Sequence, residues 1–404
     1  DTINAAVSGV LTGLDNIDGA AGTNTLNVSD TAAIAIPVSA TVKNIQTANL
    51  TSAATVAGNV SAWTGLTSLT VSEVGGTAAG ITAATTTAVS LSDSAQAAGA
   101  ISISGGSSVT VNSAAATTGA ITIGSTSAPT GAVSITRTHS TAVTGGDISV
   151  TGGTAVEINQ IIANAVNTTA TAGTISVSGS ANTTSVAITT TKAATASASV
   201  AGVNASSVVI TDINNGSLTT AGTITSATVS GYTNLGINNN ALSTLSVANG
   251  SGNIIIDNSG LTTPTNKTLA LTANGLTGGT LDDADIYTTL NITTATVKST
   301  LSNITFGGVT ALTVAGTQGL TLSSALGMGK LATVTVTGAA GLTADLSTGA
   351  SPAGPGATLT AVNTSGTTGT STITLAGSRY FCERFFRAPA RKISKNYATA
   401  NAYG

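Results

Sequence analysis

"AISISGGSSVTVNSAAATTGAITIG", Ala100 to Gly124, is the stretch on which the fold turns. Within it an aliphatic residue alternates with Ser or Thr in three short runs, built on Ile101 and Ile103, Val109 and Val111, and Ile121 and Ile123. Successive side chains of a strand point to opposite faces, so each run offers one aliphatic face to a core and one hydroxyl face to water. Gly, Ser and Asn separate the runs and suit turns, which often need positive φ. "AVSIT" from Ala132, "TISVS" from Thr174 and "SVAIT" from Ser185 repeat the pattern. The alternation predicts that Ile103, Val111, Ile123, Ile135, Val177 and Ile188 point inward. The best helical competitor is "EINQIIANAVN", Glu157 to Asn167, with Ile158, Ile161, Ile162 and Val166 on one helical face. It is short and opens in a strand-like context.

Composition narrows the class. The chain has 404 residues, 41% of them apolar, yet only 2% aromatic and 7% charged. An average domain carries about 25% charged residues. Disordered chains are usually charged and poor in β-branched residues, whereas this one is rich in Val, Ile and Thr. A compact globule would need more large side chains to fill its centre. What remains is a thin core of small β-branched residues, repeated many times.

The repeat can be measured. Leu245, Leu269, Leu290, Leu312, Val334 and Leu359 follow one another at steps of 24, 21, 22, 22 and 25 residues. A second strand follows about ten residues later, at Ile254, Leu301, Leu320 and Leu342. Earlier strand pairs begin at Ala100, Ala120, Ile148 and Thr174, at looser steps of 20, 28 and 26. A fixed period of this size marks a solenoid, in which one turn cannot bury its own apolar face but stacked turns can. The expected fold is all-β, a parallel β-helix (β-solenoid) with rungs of roughly 20–28 residues. The expected organisation is an N-terminal rung over residues 1–30 and a solenoid over 31–377, looser over 31–230 and regular over 231–377, then a tail over 378–404.

Several strings share a further likeness: "DTINAA", "LDNIDGAAGTNTLNVSD" (Leu14 to Asp30), "AWTGLTSLTV", "SAPTGAVSIT" and "GLTGGTLDDADIYTTLNIT". Together they resemble the Thr/Ala/Gly-rich β-solenoid portion of large proteobacterial surface-layer and RTX-type secreted proteins, over residues 1–377. The resemblance implies an extracellular structural protein at the cell surface, exported without cleavage of an N-terminal signal and often assembling with calcium. Gly19 to Asn27, "GAAGTNTLN", stands close to the calcium-binding nonapeptide, but Asn24 holds the position of its aspartate. The first rung therefore reads as a degenerate or capping copy.

Two acidic groups are candidate calcium sites, since clustered carboxylates on turns supply the hard oxygen ligands that this ion takes. The denser is Asp282, Asp283 and Asp285, with Asp257 about one rung earlier; the weaker is Asp15, Asp18, Asn24 and Asp30. The competing reading for both is turn capping, with the side chains accepting from backbone N–H groups. His139, the one histidine, reads as a surface-loop residue, and Arg137 as an outward strand residue. No nucleophile motif or metal-ligand spacing surrounds them. No enzyme is expected. Basic groups before the tail are few and scattered, and nothing near Asp282 to Asp285 would bind a sugar.

The tail breaks the pattern. "SRYFCERFFRAPARKISKNYATANAYG" from Ser378 holds six of the ten aromatic residues, six of the twelve Lys and Arg, and the single Cys, Cys382. Its charge is +6 − 1 = +5, against 6 − 14 = −8 for residues 1–377. It reads either as an out-of-frame or foreign end, or as a segment that docks on an acidic neighbouring copy. An acidic rod repels phosphates and anionic lipid, so no nucleic-acid partner is expected. No apolar run of about eighteen residues is present, so no membrane span is expected. "DTINAAVSGV" opens as if inside a domain, and the chain reads as processed or partial. The expected function is a self-assembling subunit of a surface layer or filament, extracellular, polymerising through its terminal regions. A cell-surface polysaccharide is a possible anchor. The alternative is an adhesin passenger rod that binds a host or surface ligand.

Overall fold

The computed structural model describes residues 1–6, 9, 11–74, 78–95, 99–114, 118–140, 145–163, 172–193, 207–347 and 358–375. Among them every regular element is a β-strand and the strand pairs are parallel, which makes the protein an all-β parallel β-solenoid. No described helix is long and apolar enough to cross a membrane. The chain divides into two compact units, Asp1–Ile213 and Asn214–Gly404.

In the first unit one sheet stacks Thr2–Ala5, Thr25–Asp30, Thr47–Ser52, Ser68–Glu73, Ala88–Asp93, Ser108–Ser113, Val133–His139, Ala155–Ile162 and Ser185–Lys192. A second stacks Ile34–Ile36, Val56–Asn59, Ala78–Thr82, Ala100–Ser104, Ile121–Ile123, Ile148–Thr151, Ile175–Ser178 and Val208–Thr211. Asn16–Asp18 and Thr41–Lys43 form a short third pair. From Thr25–Asp30 onward, strands of one sheet alternate in sequence with strands of the other, so each of these turns feeds both. The "helical" candidate is strand from Glu157 to Ile162, because Val156 and Ile158 stack inward on Val133 and Ile135, and Ile162 on His139. Residues 164–167 of that candidate lie outside the described residues.

The six residues expected to face inward do so: Ile103, Val111, Ile123, Ile135, Val177 and Ile188 are all fully buried. Burying each such side chain is worth about 1.5–3 kcal/mol, and stacking makes the column continuous. Turn length varies without disturbing the strands. Thr2, Thr25, Thr47, Ser68, Ala88 and Ser108 lie on one register line, at steps of 23, 22, 21, 20 and 20. The line through Val109, Val133, Val156 and Val186 has steps of 24, 23 and 30. The extra residues are carried outside the strands. Gly105 and Gly124, at φ +79° and +78°, turn the chain where a Cβ would overlap the carbonyls of Ala83 and Thr151.

The second unit repeats the plan. Ser226–Ser230, Thr244–Ala248, Thr268–Asn274, Thr289–Thr294, Ala311–Gly316, Thr333–Gly338 and Ala361–Thr367 form its long sheet. Leu235–Asn238, Ile254–Asp257, Thr280–Asp283 and Asn303–Thr305 form another, and Ser299–Leu301, Leu320–Ala325, Leu342–Asp345 and Thr372–Thr374 a third. Ile254 therefore belongs to a different sheet from Leu301, Leu320 and Leu342. Two expected registers also change. Leu245 pairs with Leu271, not Leu269, and Val334 pairs with Val362, not Leu359. With Ser226 paired to Thr244, the long-sheet steps run from 18 in this unit to 30 in the first, wider than the expected 20–28. Residues 376–404, with the aromatic tail and Cys382, lie outside the described residues.

Candidate functional site

The acidic turn of the second unit splits its carboxylates between two faces. In the strand Thr280–Asp283, Leu281 and Asp283 point inward while Asp282 points out. Thr305 Oγ1 donates to Asp282 Oδ1. Asp283 is 7% exposed, and its Oδ2 accepts from the backbone N–H groups of Ile286 and Tyr287 at 3.1 Å and from Asn258 Nδ2 at 3.3 Å. Burial pushes the Asp283 carboxyl above its usual range, against those hydrogen bonds. Asp285 sits at φ 61° and accepts from the Gly307 N–H at 2.6 Å. Asp257, exposed, accepts from Ser259 Oγ at 2.7 Å. Asp257, Asp283 and Asp285 are thus engaged in holding turns, and Asp282 ties its strand to the next one.

The N-terminal group is used the same way. Asp15 accepts from the Thr12 N–H at 2.6 Å, and Asp30 accepts from the N–H groups of Gly9 and Ala32, both at 2.8 Å. Asp18 accepts from Asn44 Nδ2 at 2.7 Å and the Ala20 N–H at 2.8 Å, which hold its carboxyl below the usual range. Asn24 is fully buried; its Nδ2 donates to the Asn44 carbonyl at 2.9 Å, and its Oδ1 accepts from the N-terminal ammonium at 3.1 Å. An amide suits that place because its Nδ2 can donate to the Asn44 carbonyl, which an ionised aspartate cannot. Among the described residues no three His, Cys, Asp or Glu side chains gather closely enough to hold a metal ion.

A different set of residues does converge, inside the first unit. Ser52, Glu73, Asp93, Ser113, Arg137, Gln160 and Thr190 occupy one inward register position on successive turns, and all are buried. Ser52 Oγ donates to the Ala32 carbonyl at 2.7 Å. Glu73 Oε2 accepts from the Val56 N–H at 2.7 Å, tying the long sheet to the second. Burial raises the Glu73 carboxyl to about 7, and Asp93 adds to the rise. Asp93 Oδ1 accepts from the Ala95 N–H at 3.0 Å. Arg137 Nη1 donates to the Gly146 carbonyl at 2.7 Å and Nη2 to the Gly119 carbonyl at 2.6 Å. Burial lowers the guanidinium to about 10, with Asp147 opposing the shift.

Two expectations fail here. Arg137 is fully buried rather than outward, and His139 is the fully buried last residue of its strand rather than a loop residue. Counting by twos from Val133 and Ile135 puts both on the inner face. The row itself had a visible signal: "SLTVSE", "AVSLSD", "SVTVNS" and "AVEINQ" all follow two inward aliphatics with an inward polar residue. That third position reads as the start of a turn unless strand length is known.

The sequence matches no protein-family model and no curated protein.

Proposed function

We propose that the chain is an extracellular structural protein, a self-assembling subunit of a bacterial surface layer or filament. One observation carries this reading: the outer face of the long sheet is an ordered, nearly uncharged array of hydroxyls and amides. In the first unit Asn4, Asn27, Asn49, Thr70, Ser90, Thr110 and Ser134 form one outward row, with Glu157 the first charge on it. Asn27 Nδ2 donates to Asn4 Oδ1, and Asn49 Nδ2 to Asn27 Oδ1, both at 2.8 Å. Such a face has little charge to repel a second copy and many groups to hydrogen-bond with one.

Contacts through the terminal regions, with residues 1–30 of one copy against residues 340–404 of another, are part of the proposal. Leu14 and Val38, 95% and 97% exposed, leave two large aliphatic side chains in water near that first region. Calcium assistance is proposed for the outer carboxylates Asp257, Asp282 and Asp285, shared between copies, where an incoming ion would compete with the hydrogen bonds described above. An adhesin rod is the second reading. It is favoured by a groove of about 370 Å³ over the second sheet of the first unit, lined by Val38, Asn59, Gly80, Thr82, Ser102 and Thr126. Its hydroxyl and amide lining suits a polysaccharide, either a host ligand or a cell-surface anchor.

Negative-stain imaging of the purified protein, with and without a calcium chelator, separates these readings. Regular sheets or filaments are expected, and their loss in chelator would place calcium in the assembly. Dispersed monomers at micromolar concentration that bind an immobilised glycan would replace the lattice reading with the adhesin one.

A further inference from the structure

We propose that ordered water occupies the interior of the first unit beside Gln160, in the space that the Arg137 head group fills one turn earlier. Arg137 and Gln160 are register partners on adjacent strands and share the inward face. The Arg137 guanidinium reaches across to the carbonyls of Gly119 and Gly146. These glycines are stacked so closely that a Cβ on Gly146 would overlap the Gly119 carbonyl. A Cβ on Gly173 would likewise overlap the Gly146 carbonyl, so Gly173 continues the stack on the turn of Gln160. A glutamine side chain ends at the level of an arginine Nε. Extended along the path of Arg137, a glutamine would stop short of the glycine stack by the length of the outer guanidinium, and the Gln160 amide has no hydrogen-bond partner among the described residues.

The chemistry left at that place asks for water. Gln160 Nε2, Gln160 Oε1 and Thr190 Oγ1 are buried with no hydrogen-bond partner among the described residues. Gln160 and Thr190 are themselves register partners, and the inward residues flanking them, Ile158, Ile162 and Ile188, are aliphatic. Each orphaned group costs about 1–3 kcal/mol if it stays dry. A buried water typically makes two to four hydrogen bonds and can donate and accept at once. The site presents both an amide N–H donor and carbonyl acceptors, so water serves it whole. An anion would meet Gln160 Oε1, and a cation would meet the Arg137 charge.

A high-resolution crystal structure of the whole chain, beside Gln160→Met and Thr190→Val, tests this. Density for about one or two waters within hydrogen-bond distance of the Gln160 amide is expected, and its loss in Gln160→Met. The two side chains should also couple: each single variant lowers the Tm, and the double variant falls by less than the sum. Thr190→Ser, which keeps the hydroxyl, should retain the water if either larger change prevents folding. An empty site, a bound anion, a protein side chain seated there, or single variants that raise the Tm additively would each overturn the proposal.

Discussion

Glu73 and Asp93 stand directly opposite one another on adjacent turns, both buried and both pointing into the protein. Burial, with the Asp93 charge opposite adding to it, raises the Glu73 carboxyl to about 7. A raised folded-state value means the folded protein holds this proton more tightly than the unfolded chain does. The stability it contributes is complete below the unfolded value, near 4.5, and is lost as pH rises through 7. The Tm of the wild type should fall between pH 5 and 8, by an equivalent of up to about 3 kcal/mol. Glu73→Gln should flatten that slope. Equal slopes in both proteins would remove Glu73 as its source.

Arg137 should matter to stability through the carbonyls it holds. Replacing it with Met keeps much of the apolar stem but removes the donors that Arg137 gives to the carbonyls of buried Gly119 and half-buried Gly146. The expected cost is about 2–5 kcal/mol, read as a lower urea midpoint for the first unit. A midpoint that stays or rises would mean that the guanidinium's desolvation already outweighs its hydrogen bonds.

A charge in the aliphatic column should break more than one turn. Val111→Asp or Ile135→Asp buries an unpaired carboxylate between register partners, at a cost of several kcal/mol. Hydrogen exchange should speed up in Ala88–Asp93 and Ala155–Ile162 as well as at the altered strand. Exchange confined to a single strand would show that neighbouring turns do not depend on one another.

Gly124 and Gly80 make a matched pair. Gly124→Ala meets both a positive φ and the Thr151 carbonyl, so a loss of about 1–3 kcal/mol is expected. Gly80→Ala meets open space and should leave the thermal unfolding curve nearly unchanged. Similar losses at both positions would point to chain entropy rather than steric overlap.

The fold was legible because alternation is local. In "SVTVNS" the inward places of Val109 and Val111 follow from counting by twos, and stacking follows from the repeat. The register was less legible. Leu245 with Leu269 or with Leu271 differs by two residues, which keeps every side chain on its proper face. Pattern alone cannot choose between them, because the choice depends on how many residues the intervening turn holds. The acidic sites were legible as residues but not as geometry. Asp282 and Asp283 are neighbours in sequence and lie on opposite faces because they are strand, not turn.

The sequence by itself determined a parallel β-solenoid with a thin aliphatic core, since a period of two within strands and about 22 between them admits few other burials. Only the tertiary structure decided that Glu73, Asp93, Arg137 and Gln160 form one buried row. In sequence they lie twenty or more residues apart, among residues that usually mark turns. Stacking brings them together because each strand runs one step past its second aliphatic residue. Strand length is set by the pairing of neighbouring turns, which no single strand can specify alone.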